Sequence, residues 1–318
     1  MAEWIYEAGI GEARAALVEQ GVVIEARIEL EDGAPRLGAI LGARLVEITM
    51  RGREGRVVLD GGGEATLAPL PSGITQGGVL MVEIVREAIP EAGRPKLPRA
   101  VAVPPGAVAS PGPDLLARIT RTGHAIRLAR AHEPDHLEAA GWSEVLEEAA
   151  TGEIAFPGGA LRMTPTPAMT LFDVDGYPPL EPLAVAAAGA VARAIVRHDI
   201  GGSIGVDFPT LEGKAARLAV AARIDAMLPL PFERTAMNGF GFLQIVRRRA
   251  RASLPELIRV DPAGAEARAF LRTIERAPPP APRHHKVSRR VQAWLATRPD
   301  LLAELSRRTG IAVTIEVM

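Results

Sequence analysis

The sequence predicts a multi-subdomain α/β protein, and three patterns predict it: an N-terminal stretch of apolar/polar alternation, a run of short alternating segments split by glycines, and apolar strands separated by amphipathic helices. "WIYEAGIGEARAALVEQGVVIEARIEL" reads as three short strands in a meander turning at "EQG". Residues 38–86 break into short alternating runs between glycine-rich turns, the pattern of a small closed barrel of OB type. "GRPKLPRAVAVPPGAVASPGPD" is too rich in Pro and Gly to hold a helix and reads as a connector, and Pro134–Asp135 marks a helix start beyond it. "EIAFPGGALRMTP" predicts a hairpin, "AMTLFDVDG" a buried strand and "PLAVAAAGAVARAIVRHD" an amphipathic helix. "IGGSIGVDF" then predicts a second buried strand, and "LEGKAARLAVAARIDAM" a second helix capped by Thr210. "PFERTAMN" predicts one more strand ahead of "GFGFLQIVRRRARASL". After the proline-rich break "RAPPPAPRHHK" come one last helix, "VQAWLATRPDLLAELSRRTG", and a final strand, "IAVTIEV", as a small separate module.

Composition narrows the classes. The chain has 318 residues, 47% of them hydrophobic, with a net charge of −1 and no cysteine. Disulfide frameworks, thiolate zinc sites and cysteine nucleophiles are therefore excluded. The N-terminus is acidic without a basic-then-apolar signal, and "PLAVAAAGAVA" meets Arg193 before it could span a bilayer, so a cytoplasmic protein with no membrane partner is expected. Only Lys96, Lys214 and Lys286 are lysines among the 37 basic residues, and no Phe, Tyr or Trp occurs between Tyr6 and Trp142, so the barrel region has no base-stacking platform. "GIGEARA" has the outline of a dinucleotide loop but lacks the third glycine and leads into a strand.

"TLFDVDG", residues 170–176, sets two acids into an otherwise apolar strand. A charge in a buried strand must be paired or bound to a cation, so the motif is either a strand end reaching solvent or a metal or catalytic site. Asp207 in "SIGVDFPT" repeats the device one helix later, and a right-handed crossover lays such strands close together. Two adjacent anions repel, and Mg²⁺, which takes a few carboxylates and keeps its waters, relieves that. Turn capping by each Asp is the alternative.

"GGALRMTPTPAMTLFDVDG", "DIGGSIGVDFPTL" and "GFGFLQIVRRRARASL" resemble, in order and separation, three segments of the ribonuclease E/G family, and the likeness runs into the meander and the tail. The resemblance implies an RNase H-like subdomain (1–37 and 114–158) interrupted by an OB-type RNA-binding barrel (38–90) and a Pro/Gly connector standing for a reduced 5′ sensor (91–113). A DNase I-like catalytic subdomain (159–261) and a small C-terminal module (262–318) would follow. It also implies a Mg²⁺-dependent endoribonuclease acting on single-stranded RNA, Mn²⁺ able to substitute, with Asp173 and Asp207 as metal-binding catalytic residues and Asp175 as an auxiliary ligand or local brake. Lys214 and Arg217, three apart on one helix face, and Arg247, Arg248, Arg249 and Arg251, placed on the last helix of the catalytic region, are the candidate RNA-binding cations; a solvated helix face is the alternative.

The chain also departs from the family. Asp175 stands for its Asn, Pro167 for its Glu and Gly239 for its Arg, while Val58 and Leu67 occupy the places of its RNA-stacking aromatics. The family's cysteine zinc link is missing and His284–His285 are no spaced ligand set, so no zinc is expected and any homodimer must rest on apolar packing, as around Trp294. A non-catalytic RNA-binding relative is the competing expectation. "LFDVDG" also resembles the opening of haloacid-dehalogenase phosphatases, but Tyr177 stands where their Thr would be and no acidic pair follows downstream.

Overall fold

The computed structural model describes every residue except Arg51, Ala92, Arg94 and Pro279. The meander forms as three antiparallel strands, β1 (Glu3–Ala8), β2 (Glu12–Glu19) and β3 (Val22–Leu30). The chain then leaves this sheet for the barrel: β4 (Ile40–Met50), β5 (Glu54–Leu59), β6 (Glu64–Leu67), β7 (Val79–Arg86) and β8 (Arg99–Ala102), closed in the order β4-β5-β6-β8-β7. Its interior is apolar, with Leu45, Val57, Leu67, Val82 and Ile84 all fully buried. The segment expected to be a connector thus supplies the closing strand: Arg99–Ala102 pairs in parallel with β6 and antiparallel with β7, between two prolines that only delimit it.

After α1 (Leu115–Thr120), strand β9 (Ala125–Leu128) returns to lie parallel to β1, so the barrel is an insertion within one sheet of order β3-β2-β1-β9. Helix α2 (His136–Ala139) starts where expected, with the Asp135 carboxylate accepting from the Glu138 amide, and α3 (Trp142–Thr151) packs Trp142, Val145 and Ala149 against Ile5, Val23 and Ala26 of the sheet.

A six-stranded sheet follows. Strands β10 (Glu153–Phe156) and β11 (Gly159–Pro165) are the expected hairpin, and β12 (Thr170–Gly176) joins them antiparallel. Helix α4 (Leu180–Arg197) carries the chain to β13 (Gly202–Asp207), parallel to β12, and α5 (Lys214–Met227) leads on to β14 (Glu233–Arg234) and β15 (Phe242–Arg247). The order is β10-β11-β12-β13-β15-β14. Leu161, Met163, Phe172, Ile204, Val206, Leu243 and Ile245 point to one face and pack on the alanine-rich side of α4 and on Val220 and Ile224 of α5. Each of the larger side chains contributes roughly 1.5–3 kcal/mol by burial. The alanines let the helix backbone sit close to the sheet. The strands expected to be buried are therefore buried on one face only; the other face, carrying both acids, is open.

Three further expectations are corrected. Helix α5 begins at Lys214 with Gly213, φ +81°, at its N-cap, and Thr210 lies in the preceding loop without capping it. "PFERTAMN" pairs only through the two residues of β14. The final helix is two, α8 (Arg289–Ala296) and α9 (Pro299–Thr309), because Pro299 cannot continue a helix yet suits the first turn of a new one.

Between the open sheet and the tail lie α6 (Leu254–Val260), started by a Ser253/Glu256 capping box, and α7 (Pro262–Glu275). His284 and His285 belong to β16 (His284–Val287), which pairs in parallel with β17 (Thr314–Val317). The tail is not free-standing: Val287, Val291, Leu295, Leu301 and Leu305 share a core with Ile10, Ala267 and Leu271. Trp294, the expected centre of any apolar dimer packing, lies partly buried between the guanidinium groups of Arg268 and Arg298, 5.4 and 5.8 Å from its ring centre.

Candidate carboxylate site on the open sheet face

Asp173 and Asp207 are register partners on the adjacent parallel strands β12 and β13. Neighbouring strands run about 4.8 Å apart, so the two side chains leave the same face side by side. Both are exposed, whereas Phe172, Val174 and Val206 beside them point into the core. The row continues across the sheet as Glu153, Arg162, Asp173, Asp207 and Phe242, one residue from each of five strands. Arg162 Nε donates to Glu153 Oε1 at 3.1 Å, and this bond, with the charges of Glu153, Asp175 and Asp173, raises the guanidinium above its ordinary range.

Asp175 shares this face but lies two residues further along β12, opposite Ala160, and β13 has ended by then. Two residues advance about 6.6 Å along a strand. Among the described residues no group of three or more His, Asp or Glu side chains comes together to hold a metal ion. What the sheet presents is a pair of hard oxygen donors with room for water, a donor set that suits Mg²⁺ rather than zinc.

Beside the pair the floor is apolar. A Cβ on Gly205 would stand 2.7 Å from the Phe242 ring and 2.9 Å from Leu171 Cδ2, so only glycine lets these side chains close over the strand. The loop before β15 is tied to the end of β13. Asn238 Oδ1 accepts from the amides of Phe240 and Phe242 at 2.9 and 3.0 Å, and the Phe208 amide donates to Gly241 O at 3.1 Å. Gly241, φ +99°, is required there: a Cβ would lie 2.1 Å from Phe208 O.

The candidate cations divide. Lys214 is exposed at the first turn of α5, and Arg217 is committed to the Leu211 carbonyl at 3.0 Å in the loop leading from Asp207. The four later arginines are on no helix; they occupy the end of β15 and the coil before α6. Arg247 pairs in register with Gly202, five residues from Asp207 on β13 and thus about 17 Å along the strand. Its guanidinium donates to Ile200 O at 3.2 Å, and burial lowers its pKa. Arg249 is held by Glu256, and Arg251 lies 3.5 Å from Asp199; only Arg248 is exposed. These residues brace the far end of the sheet. Of the departures, Pro167 lies in the turn at the opposite end of β12, while Gly239 lies in the loop beside the pair, where an added Cβ meets nothing within 4 Å. In the barrel Val58 is exposed and Leu67 is sealed in the core, where an aromatic could reach no ligand.

Arg162 is the functional candidate that sequence reasoning missed. Its signal was the hairpin: with Phe156 and Gly159 paired at the turn, strict alternation sets Arg162 on the same face as Glu153 and then Asp173. The chain matches no protein-family model, and a search of curated proteins finds no match. Among the described residues no helix is long and apolar enough to cross a membrane.

Proposed function

We propose that this chain is a Mg²⁺-dependent endoribonuclease that cleaves single-stranded RNA by metal-assisted phosphodiester hydrolysis, a reduced relative of the ribonuclease E/G family. The observation that carries the reading is the in-register pair Asp173 and Asp207 on adjacent parallel strands of an open sheet face. The barrel order, with β6 and β8 parallel, supports an OB-type module. Its insertion between strands of one sheet agrees with an RNase H-like subdomain, and the six-stranded sheet under α4 and α5 with a DNase I-like one.

Asp173 and Asp207 would hold the metal. Bound there, Mg²⁺ supplies Lewis acidity toward a phosphoryl oxygen and activation of a water. The chain's own residues do the rest. Arg162, beside Asp173, offers guanidinium N–H groups to a non-bridging phosphate oxygen, and Lys214 draws the flanking phosphate toward the end of β13. Asp175 is too far along its strand to complete a three-carboxylate cluster and opposes the phosphate.

A non-catalytic RNA-binding relative is the second reading, favoured by the exposure of both acids: charges on an open face do not need a metal to be tolerated. Mixed single-stranded RNA with and without Mg²⁺ separates the two. Cleavage by the wild type and its loss, by at least a hundredfold, in Asp173→Asn and Asp207→Asn are expected; wild-type protein that binds RNA and never cuts it in Mg²⁺ or Mn²⁺ would leave the second reading standing.

A further inference from the structure

Among the described residues, which include all twelve aromatics, only Tyr177 and Phe240 have exposed rings, each residue at 85%. Isolated exposed aromatics need no explanation. These two flank the same place. Tyr177 follows the last residue of β12, four positions beyond Asp173, and two prolines after it limit the freedom of its backbone. Phe240 is the tip of the loop that Asn238 closes and that Phe208 ties to the end of β13, next to Asp207. Both residues thus lie at the end of the sheet where β12 and β13 finish and β15 begins, on strands two positions apart, about 10 Å between strand axes, with Asp173 and Asp207 on the intervening face.

An exposed ring on a backbone so firmly held is a platform for a planar partner. Three hydrogen bonds and an obligatory glycine hold the backbone that carries Phe240, and none of the described residues covers its ring. Lys214 begins its helix seven residues after Asp207, in the loop region against which the Phe240 loop lies. Stacking faces beside a cation suit unpaired nucleotides, whose bases are free to stack while their phosphates pass the charge; a duplex keeps its bases inside.

We infer that Tyr177 and Phe240 stack the bases on either side of the phosphate brought to Asp173 and Asp207, so that this face selects unpaired RNA. The inference deepens the nuclease reading and rests on it. The platform missing from the barrel is supplied at the carboxylate site itself.

The test uses the full chain and a fluorescein-labelled twelve-nucleotide RNA of mixed sequence, followed by anisotropy at low salt in EDTA and by cleavage in Mg²⁺. Tyr177→Ala and Phe240→Ala should each raise the Kd and KM about tenfold, as loss of one stacked base does, with kcat within about twofold. Tyr177→Phe and Phe240→Trp should keep wild-type affinity, since the ring and not its substituent is used. An abasic oligomer of the same length should bind all variants alike, a result that mere unfolding of the loop would not produce. Alanine variants with unchanged Kd and KM, or an equal loss of abasic RNA, would overturn the stacking while leaving hydrolysis intact. Ring-dependent binding by a wild type that never cuts would uphold the stacking and overturn hydrolysis. A wild type that neither binds nor cuts would overturn both.

Discussion

Between the first sheet and α7, Arg14 and Arg276 share Glu7 and Asp135 while Arg268 and Arg272 share Glu12; on the open face of the second sheet, Asp173 and Asp207 stand side by side with one arginine on one flank. In the first group every carboxylate has at least two guanidinium partners, and Glu7, Glu12, Arg14 and Arg268 are buried. In the second, Arg162 is itself claimed by Glu153, and both acids face solvent. A buried charge is tolerated only when satisfied, so the first network fixes how the tail helices sit on the meander. Like charges directly opposite each other weaken a sheet. The buried carboxylates of the first group are neutralised inside the fold, whereas the Asp173–Asp207 pair keeps its negative charge toward solvent.

The largest effect is expected where that satisfaction is broken. Arg14 is 1% exposed, donates to Glu7 and to Asp135, the latter at 2.7 Å, and stacks 5.4 Å from the Trp142 ring centre. Arg14→Met should leave Glu7 buried with Arg276 as its one remaining partner and cost about 3–5 kcal/mol, read as a shift of the urea midpoint. Adding Glu7→Gln should recover part of that loss, because the stranded charge goes with it. A loss under about 1 kcal/mol would make the seam dispensable and erase the contrast.

His198 is an intermediate case. It is fully buried at the C-terminus of α4, its Nε2 is 3.1 Å from Glu148 Oε2, and Nδ1 has no partner among the described residues. Burial lowers the imidazole below its ordinary 6.5 and outweighs the hydrogen bond to Glu148. Burial also pushes Glu148 up, but the hydrogen bond with His198 and the charge of Arg197 outweigh it and hold the carboxyl below 4.5. Between the folded His198 value and 6.5 the unfolded chain binds more protons, so stability from His198 is complete above about pH 6.5 and drains as pH falls below it, at a slope of at most about 1.4 kcal/mol for each step of one in pH. Glu148 contributes above 4.5 and is lost as pH falls through its folded value, so both act in the same direction. A Tm series from about pH 7.5 to about pH 5 should fall for the wild type and flatten for His198→Gln; parallel curves would show that His198 is not the titrating group.

The pairing of Asp173 with Asp207 was legible because a helix of ordinary length between two apolar strands leaves little but a parallel crossover, and the barrel because its turns carry glycine at short intervals. What period-two patterns do not disclose is which face of a sheet stays open. Phe172 and Asp173 alternate equally well in a strand covered on one side or two, so the acids read as buried. The arginine run from 247 to 251 hid the end of β15, although Ser253 and Glu256 carry a capping box that dates the true helix start. Tyr177 and Phe240 were invisible for another reason: their exposure is set by the loops around them, and only Asn238 and Gly241 hint at so firm a tip.

At the acid pair the stability effects should be small and of opposite sign to those in the seam. In metal-free buffer Asp173→Asn or Asp207→Asn should raise stability by about 0.2–1 kcal/mol, since a like-charged cross-strand pair disappears, and the gain should shrink at high salt as screening removes the repulsion. Asp175 faces no residue of β13, so Asp175→Asn should leave the urea midpoint within about 0.5 kcal/mol of wild type. Its effect should appear in the proposed cleavage instead. A carboxylate about 7 Å from an incoming phosphate opposes it by about 0.6 kcal/mol in water, roughly threefold in rate. Asp175→Asn should therefore hold or raise Mg²⁺-dependent cleavage up to about threefold, most visibly at low salt. If cleavage falls instead, and the Mg²⁺ requirement rises with it, Asp175 reaches the metal when RNA is bound, and the pair on the open face is a triad in its working state.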